Sequence, residues 1–429
     1  MTSIDEIVFS ATPGESRLAL FSGGVIRELI VDRGGVAAGD IILGRIKGVN
    51  RASGAAFVDI GEAELGVLAA AGRFNEGQAL IVQVASAARP GKGAQLAHEV
   101  WLTGPLLAYA PDRGHRNPPV AAPPGLTDWV PPALDPGEAV VPRLAASAEQ
   151  WEDALASLRR QWLDIAAAAK TATAPARLFA PTPLARALAE NPRVARVTVA
   201  EIRSLPEANR LFAGATCQAG AFDRSGAAET LDQAVEARVA LPGGGTLTIE
   251  ETAAFTTIDV DGGGRAASEA NLAAVSVIAS QIRLRGLAGH ILVDFIPTKK
   301  RLAKARLLNA FRQALSDDPT PTRVTGMTPL GLVEVVRDRR RPSLGETMLA
   351  ERQSRLSAET IGLAGLRALL RAVETDPTWR PVLVAAPPVI AALRCRPAVL
   401  ADAAERLGCP AILREKPGVE HYEIILEKP

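Results

Sequence analysis

A proline-rich stretch between Pro105 and Pro142 is the feature that most constrains the fold of this chain. It holds ten of the 31 prolines among 429 residues, in pieces such as RNPPVAAPPG and WVPPALDPGE. Proline removes a backbone donor and interrupts helices and central strands, so neither a long helix nor a central strand is expected there. The stretch predicts an irregular connector or a loop-rich subdomain that separates other modules.

Length, charge and cysteine content limit the classes of protein to consider. A chain of 429 residues predicts roughly two to four domains, because single cores rarely grow further. The net charge of +1 gives no global attraction for nucleic acid, so any basic surface must be local. Three widely spaced cysteines argue against a disulfide framework and a zinc site. Without a leader or a long apolar run, the sequence predicts a cytoplasmic protein with no membrane partner.

The segment before the prolines is rich in β-strand patterns. ESRLALFSGGVIRELIVDR places two apolar runs around Gly23 and Gly24, which predicts a hairpin. Short β-rich runs with glycine-containing turns follow, from GDIILGRIKGVNRASGAAFVDIG to GQALIVQVASAARPGKGAQLAHEV. Such a series predicts a small antiparallel barrel.

The segment after the prolines begins with a helix. In SAEQWEDALASLRRQWLDIAAAAK, Trp151, Leu155 and Leu158 recur at helical spacing, and Ser147 with Gln150 forms a capping box. We expect its tryptophans to face the core rather than to stack on bases.

Strands and helices then alternate up to GLVEVVRDRRRPS, which predicts a mixed sheet. One helix of this series is expected to bury Leu272, Val275, Ala279 and Ile282. From about Glu359 the pattern predicts a compact α+β domain.

Two of the predicted strands carry aspartates near their ends. Asp259 and Asp261, in AAFTTIDVD, point to the same face, and Asp294 lies within HILVDFI. The apolar residues around Asp294 predict a strand buried in the sheet, where an unpaired carboxylate is costly. If the two strands are neighbours, three carboxylates can converge, and a divalent cation such as Mg²⁺ would offset their repulsion.

Spacing alone leaves other interpretations of these acids open. Asp259 could cap a turn while Asp294 meets a core arginine. DVDGGG also resembles the start of a calcium loop, but the position that should supply the bidentate acid is Ala270.

A basic stretch follows the aspartates. From Thr298 to Arg341 there are eleven Lys or Arg residues and four acids. Basic runs usually mark a solvated face, yet this one adjoins the carboxylates, as a polyanionic substrate requires. Together they predict metal-dependent phosphodiester chemistry, which needs no nucleophilic side chain.

Several motifs in the same order resemble those of the ribonuclease E/G family of endoribonucleases: FTTIDVDGG, RLRGLAGHILVDFI and GLVEVVRDRRRPSL. GRIKGVNRASGAAFVDIG is similar to that family's S1-type RNA-binding barrel. The resemblance implies an α+β, mixed α/β fold made of five kinds of subdomain. They are a ribonuclease H-like subdomain (1–35 and 173–238) interrupted by an S1-type OB barrel (36–103), a proline-rich 5′-sensor-like region (104–172), a deoxyribonuclease I-like catalytic subdomain (239–347) and a small C-terminal α+β domain (355–429).

The resemblance also implies roles for individual residues. Asp259 and Asp294 match two magnesium-binding aspartates. Asp261, which stands where the family often has asparagine, is included as a third catalytic acid. Phe57 matches a base-stacking aromatic, although a core position in the barrel is the alternative, and Lys92 matches a substrate-contacting lysine on a flexible loop. Arg143 stands at the sensor position and is an expected RNA contact, as are Arg337, Arg339 and Arg340 of the basic stretch.

The chain departs from the family pattern at several positions. Arg143 is followed by Leu144 where the 5′-monophosphate sensor has Arg-Thr, and leucine cannot donate the hydroxyl hydrogen bond. Val67 replaces a second barrel aromatic. The loop between Gly264 and Ser268 is short. The CxxC zinc-link and the scaffold tail are missing, so no zinc is expected, and a homodimer is allowed but not one tied by zinc.

These features predict a Mg²⁺-dependent endoribonuclease, with Mn²⁺ as a substitute, that cleaves single-stranded, A/U-rich RNA in RNA processing or decay. The altered sensor predicts weak dependence on a 5′ monophosphate. The alternative is a noncatalytic RNA-binding relative, and a DNA-directed phosphodiesterase is a more distant third.

Overall fold

The computed structural model describes residues 3–69, 74–89, 92–112, 132–252, 254–298, 300–350, 356–375 and 380–427. Residues 113–131 of the proline-rich stretch and Lys299 of the basic stretch lie outside these ranges. The described residues form a mixed α+β structure, which confirms the predicted class. Within them no helix has the length and apolar character needed to cross a membrane, and the three cysteines are free.

The strands belong to five sheets within the described ranges. In chain order they are β1 (Glu6–Thr12), β2 (Glu15–Ser22), β3 (Val25–Asp32), β4 (Ile41–Asn50), β5 (Ala55–Asp59), β6 (Gly66–Ala69), β7 (Ala79–Ser86), β8 (Gln95–Ala97), β9 (Leu102–Thr103), β10 (Leu107–Ala110), β11 (Ala139–Pro142), β12 (Ala176–Phe179), β13 (Arg196–Val199), β14 (Thr216–Cys217), β15 (Arg238–Ala240), β16 (Thr246–Glu251), β17 (Thr256–Asp261), β18 (Gly289–Asp294), β19 (Thr322–Met327), β20 (Val333–Arg337), β21 (Arg380–Ala385), β22 (Ile412–Glu415) and β23 (Tyr422–Glu427).

The helices lie mainly in the second half of the chain. They are α1 (Ala148–Thr171), α2 (Pro183–Glu190), α3 (Leu205–Leu211), α4 (Ala221–Arg224), α5 (Ala227–Gln233), α6 (Ala267–Leu284), α7 (Arg301–Leu315), α8 (Leu344–Met348), α9 (Ala358–Thr375), α10 (Pro387–Arg394) and α11 (Pro397–Leu407).

The first sheet combines strands from distant parts of the chain. Its order is β14-β13-β1-β2-β3, and β13 pairs with β1 in parallel. The predicted hairpin is confirmed: Gly23 and Gly24 adopt positive φ angles in the turn between β2 and β3, a conformation that glycine adopts without strain. The cores on the two faces of the sheet draw on α2 and α3 and on α4 and α5.

The predicted barrel is present as β4-β5-β6-β8-β7, closed by pairing of β4 with β7. Its interior holds alternate residues of these strands, among them Ile46, Val58, Leu68 and Val82. Closure pairs both edges of the sheet, and the remaining strand, β12, adds to β4.

The proline-rich region is more ordered than the sequence predicts. β10 is the central strand of a three-stranded sheet with β9 and β11, so the expectation of no central strand is wrong. The four residues of β10 lie between Pro105 and Pro111, and proline disrupts only a strand that contains it. The long helix α1 has the predicted capping box and buries Trp151 against this sheet.

The sheet that carries the aspartates has the order β15-β16-β17-β18-β20-β19. Its inward residues pack on α6 and α7, and the opposite face is open to solvent. Leu272, expected on the buried face of α6, is exposed, and Asn271 is buried instead.

The C-terminal domain has a three-stranded sheet, β22-β21-β23, packed against α9 and α10. Arg367 of α9 forms an ion pair with Glu15 of β2, which joins this domain to the first sheet.

Candidate active site

Asp259 and Asp294 lie directly opposite each other on neighbouring strands. β17 runs through α6 into β18, the two strands are parallel, and Asp259 is paired in register with Asp294. Side chains paired in register point to the same face of a sheet, and neighbouring strands are about 4.8 Å apart. The condition for the two carboxylates to converge, that their strands are neighbours, is therefore met.

Both carboxylates face solvent, which corrects the expectation of a buried setting. β18 alternates, with Ile291 and Val293 buried and His290 and Asp294 exposed, and Asp259 is exposed in the same way on β17. The sequence suggested burial because Leu292 and Phe295 extend the apolar run, yet Leu292 lies on the outward face. Neither carboxylate has a hydrogen-bond or ion-pair partner among the described residues.

Asp261 has a different local role. Its Oδ1 accepts a hydrogen bond from the Gly263 N–H at 3.0 Å, so Asp261, not Asp259, caps the turn after β17. No described arginine pairs with Asp294, and Ala270 is fully buried in α6. Both the turn-and-arginine interpretation and the calcium-loop interpretation of the three acids are therefore wrong.

Two glycine-rich loops support the end of β17. A Cβ on Gly245 would lie 2.3 Å from the Asp261 carbonyl oxygen, and one on Gly263 would lie 2.6 Å from the Gly245 nitrogen. Both residues have positive φ, so glycine is needed for conformation and for close approach. Arg265 joins the loops, since its Nη1 donates to the Pro242 carbonyl at 2.7 Å and its Nη2 contacts Glu269.

Asn271 fixes the segment after Asp294. Its side chain is buried, its Oδ1 accepts from the Ile296 N–H at 3.0 Å, and its Nδ2 donates to the Ile296 carbonyl at 2.9 Å. A buried amide must be satisfied, so this pair of bonds ties α6 to the end of β18. Sequence reasoning missed Asn271, although a polar residue on the inward face of an otherwise apolar helix was a usable signal.

The pair of carboxylates fits a magnesium ion, and the triad does not form. Within the described ranges, no three or more His, Cys, Asp or Glu side chains are placed to hold a metal ion. Asp261 lies about 6–7 Å further along β17 than Asp259, beyond the end of β18. Mg²⁺ is commonly held by one or two carboxylates, with water and substrate phosphate completing its shell.

Arg337 is buried and makes its side-chain contacts within the fold. Its guanidinium is 5% exposed, donates to both oxygens of Asp318 at 2.7 and 3.1 Å, and donates to the Leu287 carbonyl. Three of its five N–H donors are used in this way, and its burial keeps the remaining two away from a ligand at the surface. The structure therefore does not favour Arg337 as an RNA contact.

The neighbouring arginines divide between internal pairs and solvent. Arg339 pairs with Glu346 at 2.6 Å, and Arg341 pairs with Glu28 and Glu190. Arg340 is half-buried and has no side-chain partner among the described residues. Arg340 thus has a free guanidinium, whereas Arg339 is already paired.

Arg143 of the expected sensor is buried. Its Nη1 donates to the Gly104 carbonyl at 2.7 Å, and burial lowers the pKa of Arg143 to about 10, with the nearby Arg340 acting in the same direction and Glu190 opposing it. Leu144 follows it, so the hydroxyl of the family pattern is absent. This placement does not favour a direct phosphate contact.

Phe57 lies on the outer surface of the barrel. It is 38% exposed, while its neighbours Ala56 and Val58 are buried, so the core alternative is wrong. Val67, which replaces the second aromatic, is paired with Phe57 in register across β5 and β6. The two side chains therefore share one face, with a single ring where the resemblance implies two.

Lys92 forms an isolated antiparallel bridge with Arg89. It is exposed, and its backbone makes two hydrogen bonds with Arg89, at 2.8 and 2.9 Å. The adjacent Gly93 packs so closely on the Leu65 carbonyl that a Cβ would lie 1.8 Å from its oxygen. Lys92 is thus presented to solvent from a base fixed to the barrel.

Comparison with known proteins gives consistent matches. A model of the Ribonuclease E/G family matches residues 135–340, which include all three aspartates. Ribonuclease G of Escherichia coli (strain K12) is 29% identical, over 91% of this chain and 92% of the relative. Ribonuclease E of Nostoc sp. (strain PCC 7120) is 29% identical over 76% of this chain and 55% of its own length. Ribonuclease E of Escherichia coli (strain K12) is 28% identical over 78% of this chain and 36% of its own length.

Proposed function

Since the chain belongs to the ribonuclease E/G family, we propose that it is a Mg²⁺-dependent endoribonuclease that cleaves single-stranded RNA. The observation that carries the proposal is the in-register pair of exposed carboxylates, Asp259 and Asp294. Two unpaired acids side by side repel each other, and a bound cation removes that cost.

Asp259 and Asp294 would hold the ion on the open face of the sheet, where an RNA strand has access. A bound Mg²⁺ would supply Lewis-acid assistance at a phosphoryl oxygen and would help to activate water as the nucleophile. The loops held by Arg265 and Asn271 keep the two carboxylates in register. No serine, cysteine or histidine nucleophile is required.

Substrate binding is proposed to involve the barrel. Phe57 offers an exposed ring for stacking on a base, and Lys92 and Arg340 offer charges for phosphates. A base of any identity can stack, so these contacts favour single-stranded RNA without requiring a fixed sequence. A preference for A/U-rich segments follows, because such segments unpair at the lowest cost.

Dependence on the 5′ end is proposed to be weak. Arg143 is committed to the Gly104 carbonyl, and Leu144 cannot bond a terminal phosphate. We expect similar cleavage rates for 5′-monophosphorylated and 5′-hydroxyl forms of one oligonucleotide. A large preference for the monophosphate would contradict this part of the proposal and leave the cleavage activity in place.

The main test is cleavage of a fluorescent single-stranded A/U oligonucleotide. Products are expected in Mg²⁺ or Mn²⁺ and not in excess EDTA, and the same sequence as DNA or as an RNA duplex should be cut more slowly. Preferential cleavage of the DNA would instead support the DNA-directed phosphodiesterase.

A noncatalytic RNA-binding relative is the second candidate. The observation that favours it is the absence, within the described ranges, of a group of three potential ligands at the site. Tight binding of the oligonucleotide without products over hours in either metal would establish this alternative.

A further inference from the structure

Two rings accompany the two carboxylates on the open face of the sheet. FTTID and HILVD share one pattern, in which a ring-bearing residue precedes the aspartate by four positions. Four is an even spacing, so Phe255 points to the same face as Asp259, and His290 to the same face as Asp294. Phe255 comes one residue before the Thr256–Ile291 pair, so it lies beside His290.

The rings contact each other but are not buried. Their centroids are 6.1 Å apart with an interplanar angle of 59°, and Phe255 is 44% exposed. His290 is also exposed, on a strand with neighbours on both sides. An exposed aromatic pair makes little contribution to a core, and it offers flat apolar surface to a ligand.

The position of Phe255 is fixed by hydrogen bonds with Thr252, which precedes β17. The Phe255 N–H donates to Thr252 Oγ1 at 3.2 Å, and the Phe255 carbonyl accepts from both the backbone N–H and the hydroxyl of Thr252 at 2.8 Å. The main chain of Phe255, which carries the ring, is therefore already ordered in the absence of ligand. This order lowers the entropic cost of binding.

The distance from the ring pair to the carboxylate pair, and the charged side chains along that path, decide which part of a ligand would contact the rings. Four residues of strand place the rings about 13 Å from the carboxylates, with the half-buried Thr257 and Leu292 between them. Glu250 and Glu334 flank this path on the neighbouring strands and are exposed. Carboxylates repel a phosphate backbone, so neutral bases are the part of RNA that this surface can accept.

We infer that Phe255 and His290 form a stacking platform for a base of the bound RNA, near the scissile phosphate but not at it. The inference rests on the proposed function and adds a second contact surface to the barrel. A base lying on the rings sets the direction in which the strand crosses Asp259 and Asp294. Base stacking on exposed sheet aromatics is a general mode of single-stranded recognition.

The test measures binding of a labelled single-stranded A/U oligonucleotide to the Asp294→Asn protein, so that the RNA stays intact. A set of otherwise identical oligonucleotides carries one abasic nucleotide at each position in turn. Phe255→Leu, which keeps apolar volume and removes the ring, is expected to weaken binding of the intact oligonucleotide about tenfold. Phe255→Trp should preserve it, and Ile202→Ala, at an exposed apolar site on another subdomain, is the matched control.

The abasic series gives the decisive comparison. In the Asp294→Asn protein, which is the reference protein, an abasic nucleotide at one position should weaken binding about tenfold. In the same protein with Phe255→Leu, that abasic nucleotide should weaken binding no further. Equal losses from every abasic position in both proteins would overturn the platform while leaving the nuclease proposal intact. No RNA binding by the reference protein would overturn both. A change in oligomeric state on Phe255→Leu, with unchanged RNA binding, would assign this face to a second copy of the chain.

Discussion

Acidic side chains have two different surroundings in this molecule. Glu15 and Glu28, at junctions between subdomains, and Asp318, within the subdomain of the open sheet, have buried side chains paired with arginines. On the open sheet, Asp259 and Asp294 are exposed and have no such partner among the described residues. An acid that holds an arginine serves the fold, whereas a pair of acids left open to solvent is available for a cation.

The junctions hold several arginines in internal ion pairs. Glu15 contacts Arg17, Arg33 and Arg367, which come from β2, from the segment after β3 and from α9. Arg341, from the basic stretch, pairs with Glu28 of β3. A count of charges along the sequence therefore overestimates the basic surface that RNA meets.

The largest effect is expected from removing one open carboxylate. Asp259→Asn or Asp294→Asn should lower the cleavage rate by about 10³-fold or more, because metal assistance supplies several kcal/mol of transition-state stabilisation. The thermal unfolding midpoint should change little, since both side chains are exposed and unpaired. Unchanged cleavage by either variant would disprove the site.

A large loss of stability is expected from the opposite kind of acid. Glu15→Gln leaves three arginines around a neutral group and should cost about 3 kcal/mol of unfolding free energy, measured by urea denaturation. Glu6→Gln, which removes an acid from the more exposed pair with Arg196, is the control and should cost well under 1 kcal/mol. A smaller cost for Glu15→Gln than for the control would break the comparison.

The same junction predicts a pH dependence. Burial opposes ionisation of Glu15, but Arg17, Arg367 and Arg33 together lower its pKa below the ordinary 4.5. A lowered carboxylate pKa stabilises the folded state above the unfolded pKa, and this stabilisation is lost as pH falls through the folded pKa. The difference in unfolding free energy between wild type and Glu15→Gln should therefore have its largest value near neutral pH and decrease below pH 4.5. A difference that grew on acidification would contradict this assignment.

The smallest effect is expected from a free arginine. Arg340→Gln should weaken RNA binding a few-fold and reduce the slope of log affinity against log salt by about 0.7, the value for one phosphate contact with a single strand. Arg210→Gln, at an exposed position on another subdomain, should leave the slope unchanged. An unchanged slope for Arg340→Gln would remove this residue from the RNA surface.

The sequence predicted the parts of the fold that depend on local patterns. The β2–β3 hairpin, the capped helix α1 and the strand ending at Asp294 follow from turn glycines, a capping box and an apolar run. The connection of β17 to β18 through one helix permitted the neighbourhood of these strands, and their pairing establishes it.

The remaining features depend on contacts between distant residues. Whether Arg337 faces solvent depends on Asp318, and the burial of Arg143 depends on the Gly104 carbonyl. The exposure of Asp294 depends on which face α6 and α7 cover. The roles of Phe57, Lys92 and the three aspartates in catalysis or binding stay predictions until the variants are measured.

The split first sheet has a consequence for synthesis of the chain. β1 emerges early, yet 183 residues separate its last residue, Thr12, from Arg196, the first residue of its parallel partner β13. At a translation rate of about 5–20 residues per second, the free edge of β1 stays unpaired for roughly 10–40 s while the rest of the chain is synthesised. An open edge of this kind invites pairing with other nascent chains. Fragments that end before Arg196 should therefore aggregate, and slower translation of the barrel should lower the yield of folded protein.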